Sequence, residues 1–189
     1  MTPAEHHAIV AGAFSARVDG VSDWEAPAPV AGWTARDVVD HLVTWLPGFL
    51  AGGGVTLEVA RPPIREDTAA GDPVAAWHAH ADAVQALLEG PDADREFSHQ
   101  YAGTHPLGVA IDQFYTSDVF MHTWDLARAS GQDDRLDPEF SAQLLAGMEP
   151  LDEMLRASGQ YGPRVPVPDD APVQDRLMAF VGRDPAWRP

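Results

Sequence analysis

Residues 106–131 read PLGVAIDQFYTSDVFMHTWDLARASG, and their apolar side chains recur at the three- and four-residue spacing of an α-helix. The pattern predicts one helix from about Pro106 to Ala129, ended by Gly131. One face of it carries Ile111, Tyr115, Asp118, His122, Leu126 and Ala129. Asp118 and His122 therefore fall in the middle of an otherwise apolar stripe, where polar groups need partners.

Signals for further helices are spread along the rest of the chain. Helix starts are expected at the capping boxes Thr2–Glu5 and Thr34–Asp37, at Asp72-Pro73 and Asp137-Pro138, and near Pro172. Pro150 is expected to kink the helix that contains it, and a short extended segment is expected within 92–106. Residues 55–71 are expected to be irregular because Pro62-Pro63 forbids a helix there.

Few segments alternate apolar and polar residues, so the predicted fold class is all-α, with four or five packed helices. A length of 189 residues suits a single domain spanning 1–189. Within it we expect a core bundle over about 2–157 and a C-terminal extension over 158–189.

Composition excludes several chemistries. The chain has no Cys and its 12 basic residues are all Arg, which excludes disulfides, thiolate ligands and a lysine Schiff base. The formal charge of -17 is unfavourable for binding a phosphate backbone, so no nucleic-acid partner is expected. We also expect no membrane partner and a cytoplasmic location, because no secretory signal or long apolar run is recognisable.

A third polar residue is predicted to face the same interior as Asp118 and His122. In the second helix Val38, His41 and Trp45 share one line, so His41 points inward. Burying an ionised carboxylate costs several kcal/mol unless it is paired. A divalent metal ion bound by His41, Asp118 and His122 would remove that penalty and leave coordination positions open. Spacing alone leaves a second interpretation, in which Asp118 and His122 simply hydrogen-bond to each other.

Two aspartates are candidates for accepting the histidine ring N–H that a metal does not use. Asp37 lies four residues before His41, and Asp125 lies three residues after His122. Each has another possible partner, since Asp37 belongs to a capping box and Asp125 could pair with Arg128.

The remaining histidines are expected mostly at the surface. His6 and His7 lie near the N-terminus, and His78 and His80 fall on different faces of one helix. His105 precedes a predicted helix start and could line the mouth of the site.

Three segments resemble a known family. They are GWTARDVVDHL at 32–42, DVFMHTWDLARA at 118–129 and QDRLMAFVGRDP at 174–185. Together they resemble the DinB-like superfamily, in its mycothiol-dependent maleylpyruvate isomerase N-terminal-domain branch, within an actinobacterial metal-binding subgroup. The resemblance implies a DinB/YfiT-like four-helix bundle with additional C-terminal helices.

The resemblance also implies functional expectations. The metal, typically zinc or nickel, would be held by His41, Asp118 and His122, with Asp118 standing where the isomerase has Glu. The expected function is a divalent-metal-dependent transferase or isomerase that uses a low-molecular-weight thiol such as mycothiol, activated as a thiolate. The expected partners are a small-molecule substrate and that thiol, and the expected state is a monomer or homodimer.

Two other function classes stay open. One is a non-catalytic metal-binding or ligand-sensing helical protein. The other is a metal-dependent hydrolase in which bound water replaces the thiol. The sequence identifies no general base and no catalytic residue beyond the expected metal ligands.

Overall fold

The computed structural model describes residues 1–59 and 71–189 and is mostly helical. The long helices are α1 (Pro3–Val18), α2 (Ala35–Gly52), α3 (Pro73–Glu89), α5 (Ser117–Ser130) and α6 (Pro138–Met148). Short helices are α4 (Leu107–Ala110), α7 (Asp152–Ala157) and α8 (Val173–Phe180). The antiparallel hairpin β1 (Glu96–His99) and β2 (Gly103–Pro106) is the only sheet in the described ranges. None of the helices described is long and apolar enough to cross a membrane.

The helix starts are set by local capping. Thr2 and Thr34 both form complete capping boxes, with Glu5 and Asp37 bonding back to the cap. Asp72 and Asp137 accept backbone N–H bonds ahead of a proline at the first helical position. These starts confirm the prediction from sequence, because capping depends on residues only a few positions apart.

The long helices pack around a common apolar core. Helix α1 lies against α3 and α5, and α2 lies against the same two helices. The C-terminal α8 packs on α6. The core between them is filled by large buried side chains, among them Phe14, Leu42, Leu46, Trp77 and Trp124. This packing brings the inward faces of α2 and α5 together.

The predicted continuous helix over 106–129 is wrong in one respect. A π-helical turn, Ile111–Thr116, separates α4 from α5 and adds a residue to the turn just before Asp118. Tyr115 and Thr116, both fully buried, lie in this turn. The helix ends as predicted, with Gly131 in the left-handed conformation at φ 67°.

Other local predictions have mixed outcomes. Pro150 interrupts its helix as a 3-10 turn, Glu149–Leu151, between α6 and α7. The extended segment within 92–106 is confirmed as the hairpin. The Pro62-Pro63 pair lies outside the described residues, so the expectation for 55–71 is tested only at its edges.

The prediction that the remaining histidines lie at the surface is wrong for three of them. His6, His7 and His80 are buried, because α1 and α3 pack these positions against neighbouring helices. His78 is exposed and pairs with Asp19, as expected for a surface histidine. His105 lies in β2, with its Nε2 atom 2.7 Å from the Ala102 carbonyl oxygen.

Candidate metal centre

Helices α2 and α5 bring the three predicted ligands together. His41 comes from α2, while Asp118 and His122 lie one turn apart on α5. One ligand atom from each lies within 4.8 Å of the others. The structure therefore places His41, Asp118 and His122 as one cluster, which spacing along the sequence could only suggest.

The carboxylate of Asp118 is the centre of this cluster. Its Oδ2 atom lies 2.9 Å from His41 Nε2 and accepts a 3.0 Å hydrogen bond from Trp45 Nε1. Its Oδ1 atom lies 3.5 Å from His122 Nε2. Both imidazoles thus present Nε2 to the same carboxylate, the arrangement needed for all three groups to share one ion.

The electrostatics of the cluster keep Asp118 ionised. Burial alone would raise the pKa of Asp118, but His122, His41 and the Trp45 N–H together lower it below its ordinary value. A carboxylate that stays charged in a mostly apolar interior is the group that a divalent cation would stabilise most.

The cluster is closed on one side and open on the other. The side chain of His122 is only 4% exposed, whereas those of His41 and Asp118 are 32% and 19% exposed. Trp33 stacks on His122, with ring centroids 5.7 Å apart, and its ring also lies 5.1 Å from that of His41. A small molecule can therefore approach from the His41 side, while Trp33 covers both imidazoles.

Of the two candidate aspartates, Asp125 lies against a ligand ring. Its Oδ2 atom is 2.9 Å from His122 Nδ1, the ring nitrogen turned away from Asp118. Asp125 is fully buried and is held in turn by Arg183, at 3.1 Å. Burial alone would raise the pKa of Asp125, but Arg183 and His122 lower it below the ordinary value.

Asp37 has a different setting. Its Oδ2 atom accepts hydrogen bonds from the Thr34 backbone N–H, at 2.8 Å, and from the Thr34 hydroxyl, at 2.7 Å. These contacts engage the carboxylate at the start of α2, as a capping box requires.

Sequence reasoning missed the contribution of the C-terminal segment. Arg183 reaches Asp125 across 58 positions of the chain. Tyr161 also lies near the cluster, where burial and the charge of Asp118 raise its pKa to about 12. No local pattern links either residue to α5. The resemblance of 174–185 to the family offered a signal for Arg183, and nothing in the sequence offered one for Tyr161.

The donor set suits a divalent metal ion. Two imidazole nitrogens and one carboxylate oxygen make a three-ligand set, which leaves positions for exogenous ligands. The contact between His122 Nδ1 and Asp125 leaves Nε2 as the nitrogen turned toward Asp118. The residues present therefore fit such an ion.

Comparisons with known proteins agree with the resemblance seen in the sequence. The family model for the mycothiol maleylpyruvate isomerase N-terminal domain matches residues 7–127, which include all three clustered residues. Uncharacterized proteins from two strains of Mycobacterium tuberculosis are each 32% identical over 187 residues, covering 97% of this chain and 98% of theirs. No solved structure matches significantly. The chain thus belongs to the family of mycothiol maleylpyruvate isomerase N-terminal domains.

Proposed function

We propose that this protein binds one divalent metal ion, zinc or nickel, through His41, Asp118 and His122. The observation that carries the proposal is the convergence of three ligand atoms to within 4.8 Å of one another, on a carboxylate held ionised inside the protein. The distances of 2.9 and 3.5 Å between Asp118 and the two Nε2 atoms support the same ligand set.

We further propose that the metal serves a transferase or isomerase reaction that uses a low-molecular-weight thiol such as mycothiol. When bound, a divalent metal ion supplies a Lewis acid that lowers the pKa of a coordinated thiol. The protein has no Cys of its own, so the thiol must come from outside. Membership in a mycothiol-related family supports mycothiol as that cosubstrate.

The residues around the cluster have separate tasks in this proposal. Asp118 supplies the negative charge, and Asp125 keeps the His122 ring in its orientation. Trp33 and Trp45 cover the imidazoles and the carboxylate, which limits the access of water. The exposed edge of His41 is the side from which thiol and substrate would enter.

Elemental analysis of purified protein tests the metal site. Wild type is expected to carry about one equivalent of metal, and His122→Ala to lose most of it, because a facial site needs all three ligands. His78→Ala is the matched control, since His78 is exposed and pairs with Asp19 outside the cluster. Equal metal in wild type and His122→Ala would show that the ligand assignment is wrong.

Turnover of a test electrophile by metal-loaded protein, with and without mycothiol, tests the reaction. Turnover that depends on the thiol supports the transferase or isomerase. Turnover without thiol would instead identify the hydrolase, and no turnover with metal bound would favour a metal-binding or ligand-sensing protein.

We also propose that α1, α2, α3 and α5 form the DinB-like four-helix bundle and that residues 1–189 are one domain. The mutual packing of these four helices supports the bundle. The ion pair of Arg183 with Asp125 supports treating 158–189 as an extension of the same unit.

A further inference from the structure

A second group of polar side chains lies in the bundle interior, apart from the metal ligands. It consists of His7 on α1, His80 on α3 and Tyr115 in the π-helical turn, which are 0%, 2% and 0% exposed. The Tyr115 ring centroid lies 6.0 Å from that of His7 and 5.6 Å from that of His80. Both imidazoles therefore pack beside the same phenol ring.

Each of these side chains has a buried polar atom without a protein partner. Within residues 1–59 and 71–189, nothing hydrogen-bonds to His7 Nε2, His80 Nε2 or Tyr115 Oη. The other ring nitrogen of His7 lies 3.2 Å from the Thr116 hydroxyl, which fixes the orientation of that imidazole. Since buried polar groups in native proteins are almost always paired, three such atoms on side chains that pack around one phenol ring point to a bound guest.

The chemistry of the three groups favours a neutral guest. Burial lowers the pKa of both His7 and His80 to about 4, so each imidazole is neutral near pH 7. Burial also raises the pKa of Tyr115, which keeps its hydroxyl protonated. Uncharged groups that offer both donors and acceptors match water, which makes about three hydrogen bonds when buried.

We propose that His7, His80 and Tyr115 bind one internal water molecule that bridges α1, α3 and the π-helical turn. Tyr115 and Thr116 both lie in the π-helical turn and are buried. The hydroxyl of Thr116 meets His7, and that of Tyr115 meets the proposed water. The water site thereby holds the turn that directly precedes Asp118. This proposal does not depend on the metal or on the proposed reaction.

A high-resolution crystal structure of the wild-type protein is the direct test. A single solvent peak is expected about 2.7–3.2 Å from His7 Nε2, His80 Nε2 and Tyr115 Oη. A peak about 2.0–2.1 Å from the two histidine nitrogens would instead identify a metal ion and overturn the proposal. In that case His122→Ala should still retain this metal. The absence of any peak would also overturn it.

Thermal unfolding of Tyr115→Phe gives an independent test, because a water-bound hydroxyl and an unpaired hydroxyl predict different changes in Tm. If the hydroxyl binds water, its removal breaks that contact, and Tm should fall by about 2–4 °C or more. If the hydroxyl is truly unpaired, its removal relieves a buried polar group, and Tm should stay equal or rise. Tyr101→Phe is the control and should leave Tm unchanged, because Tyr101 is 87% exposed.

Discussion

At the scale of single residues, the candidate metal centre depends on which neighbour holds each side chain. Asp125 is buried between His122 and Arg183, whereas Asp37 bonds to Thr34 at the start of α2. Each aspartate lies within four residues of a proposed histidine ligand in the sequence. Their contacts nevertheless predict different consequences when each is changed.

Asp125→Asn is expected to weaken metal binding about 10–100-fold, because the charge that orients His122 is lost. Stability should fall as well, since the Arg183 guanidinium, only 14% exposed, would lose its ionic partner. The measurement is a metal titration of the folded protein. An unchanged affinity would mean that the contact between Asp125 and His122 plays no part in metal binding.

Asp37→Asn makes the same chemical change as Asp125→Asn, at the aspartate that caps α2. It should lower the free energy of unfolding by about 1 kcal/mol, the usual effect of a weakened cap, and leave the metal affinity unchanged. Chemical denaturation and the same titration check both expectations. A loss of metal affinity here would support the earlier hypothesis that Asp37 serves His41.

At the scale of elements, the π-helical turn links α1 to the helix that carries two of the proposed ligands. Its Thr116 hydroxyl lies 3.2 Å from His7 Nδ1, a contact between residues 109 positions apart. The turn sits directly before Ser117–Ser130, so its geometry sets the direction in which Asp118 points. π-helical turns are frequently found at functional sites.

Thr116→Val tests this link, because valine keeps the shape and removes the hydroxyl. The free energy of unfolding should fall by about 1–3 kcal/mol, since His7 Nδ1 is left buried without its partner. Thr123→Val is the matched control on α5. The Thr123 hydroxyl only donates to the Val119 carbonyl within the same helix, so its removal should have a smaller effect. Equal losses in the two variants would contradict the proposed role of the His7 contact.

At the scale of the whole molecule, the free energy of unfolding should decrease in acid because of imidazoles buried between the packed helices. His7 and His80 are held neutral, with pKa values of about 4 against 6.5 in an exposed histidine. Within residues 1–59 and 71–189, His6, Thr116 and Tyr115 lie against them and His7 acts on His80, and none of these groups offers a carboxylate to pair with a protonated ring. Protonation is therefore coupled to unfolding.

The direction of the pH dependence of stability follows from the lowered pKa values of His7 and His80. The unfolded chain binds more protons between pH 6.5 and 4, so stability is full above about pH 6.5 and falls as the pH approaches 4. The loss should be on the order of 3 kcal/mol for each histidine. Urea denaturation across this pH range, with a chelator present so that metal release does not contribute, measures it.

His80→Leu is expected to flatten part of that pH dependence, because one of the two buried titrating groups is gone. His78→Ala is the control, since this exposed histidine lies two positions earlier on the same helix. A pH profile unchanged by His80→Leu would contradict the assignment.

Local sequence determined the helix starts and the spacing of the candidate ligands. The capping boxes at Thr2 and Thr34 act over three residues, and the step from Asp118 to His122 is one helical turn, so both can be read without knowing the fold. The inward faces of α2 and α5 followed from periodicity in the same way. That these faces meet was a hypothesis from spacing, with hydrogen bonding between Asp118 and His122 as its alternative, and the family resemblance added support.

Tertiary structure alone decided the rest. The π-helical turn, the burial of His7 and His80, and the ion pair between Arg183 and Asp125 all depend on contacts between distant parts of the chain. A helical pattern shows which face of a helix is apolar, but it does not show which other helix will cover a given histidine. Packing between helices supplies that information, because burial and pairing are properties of the neighbours in space.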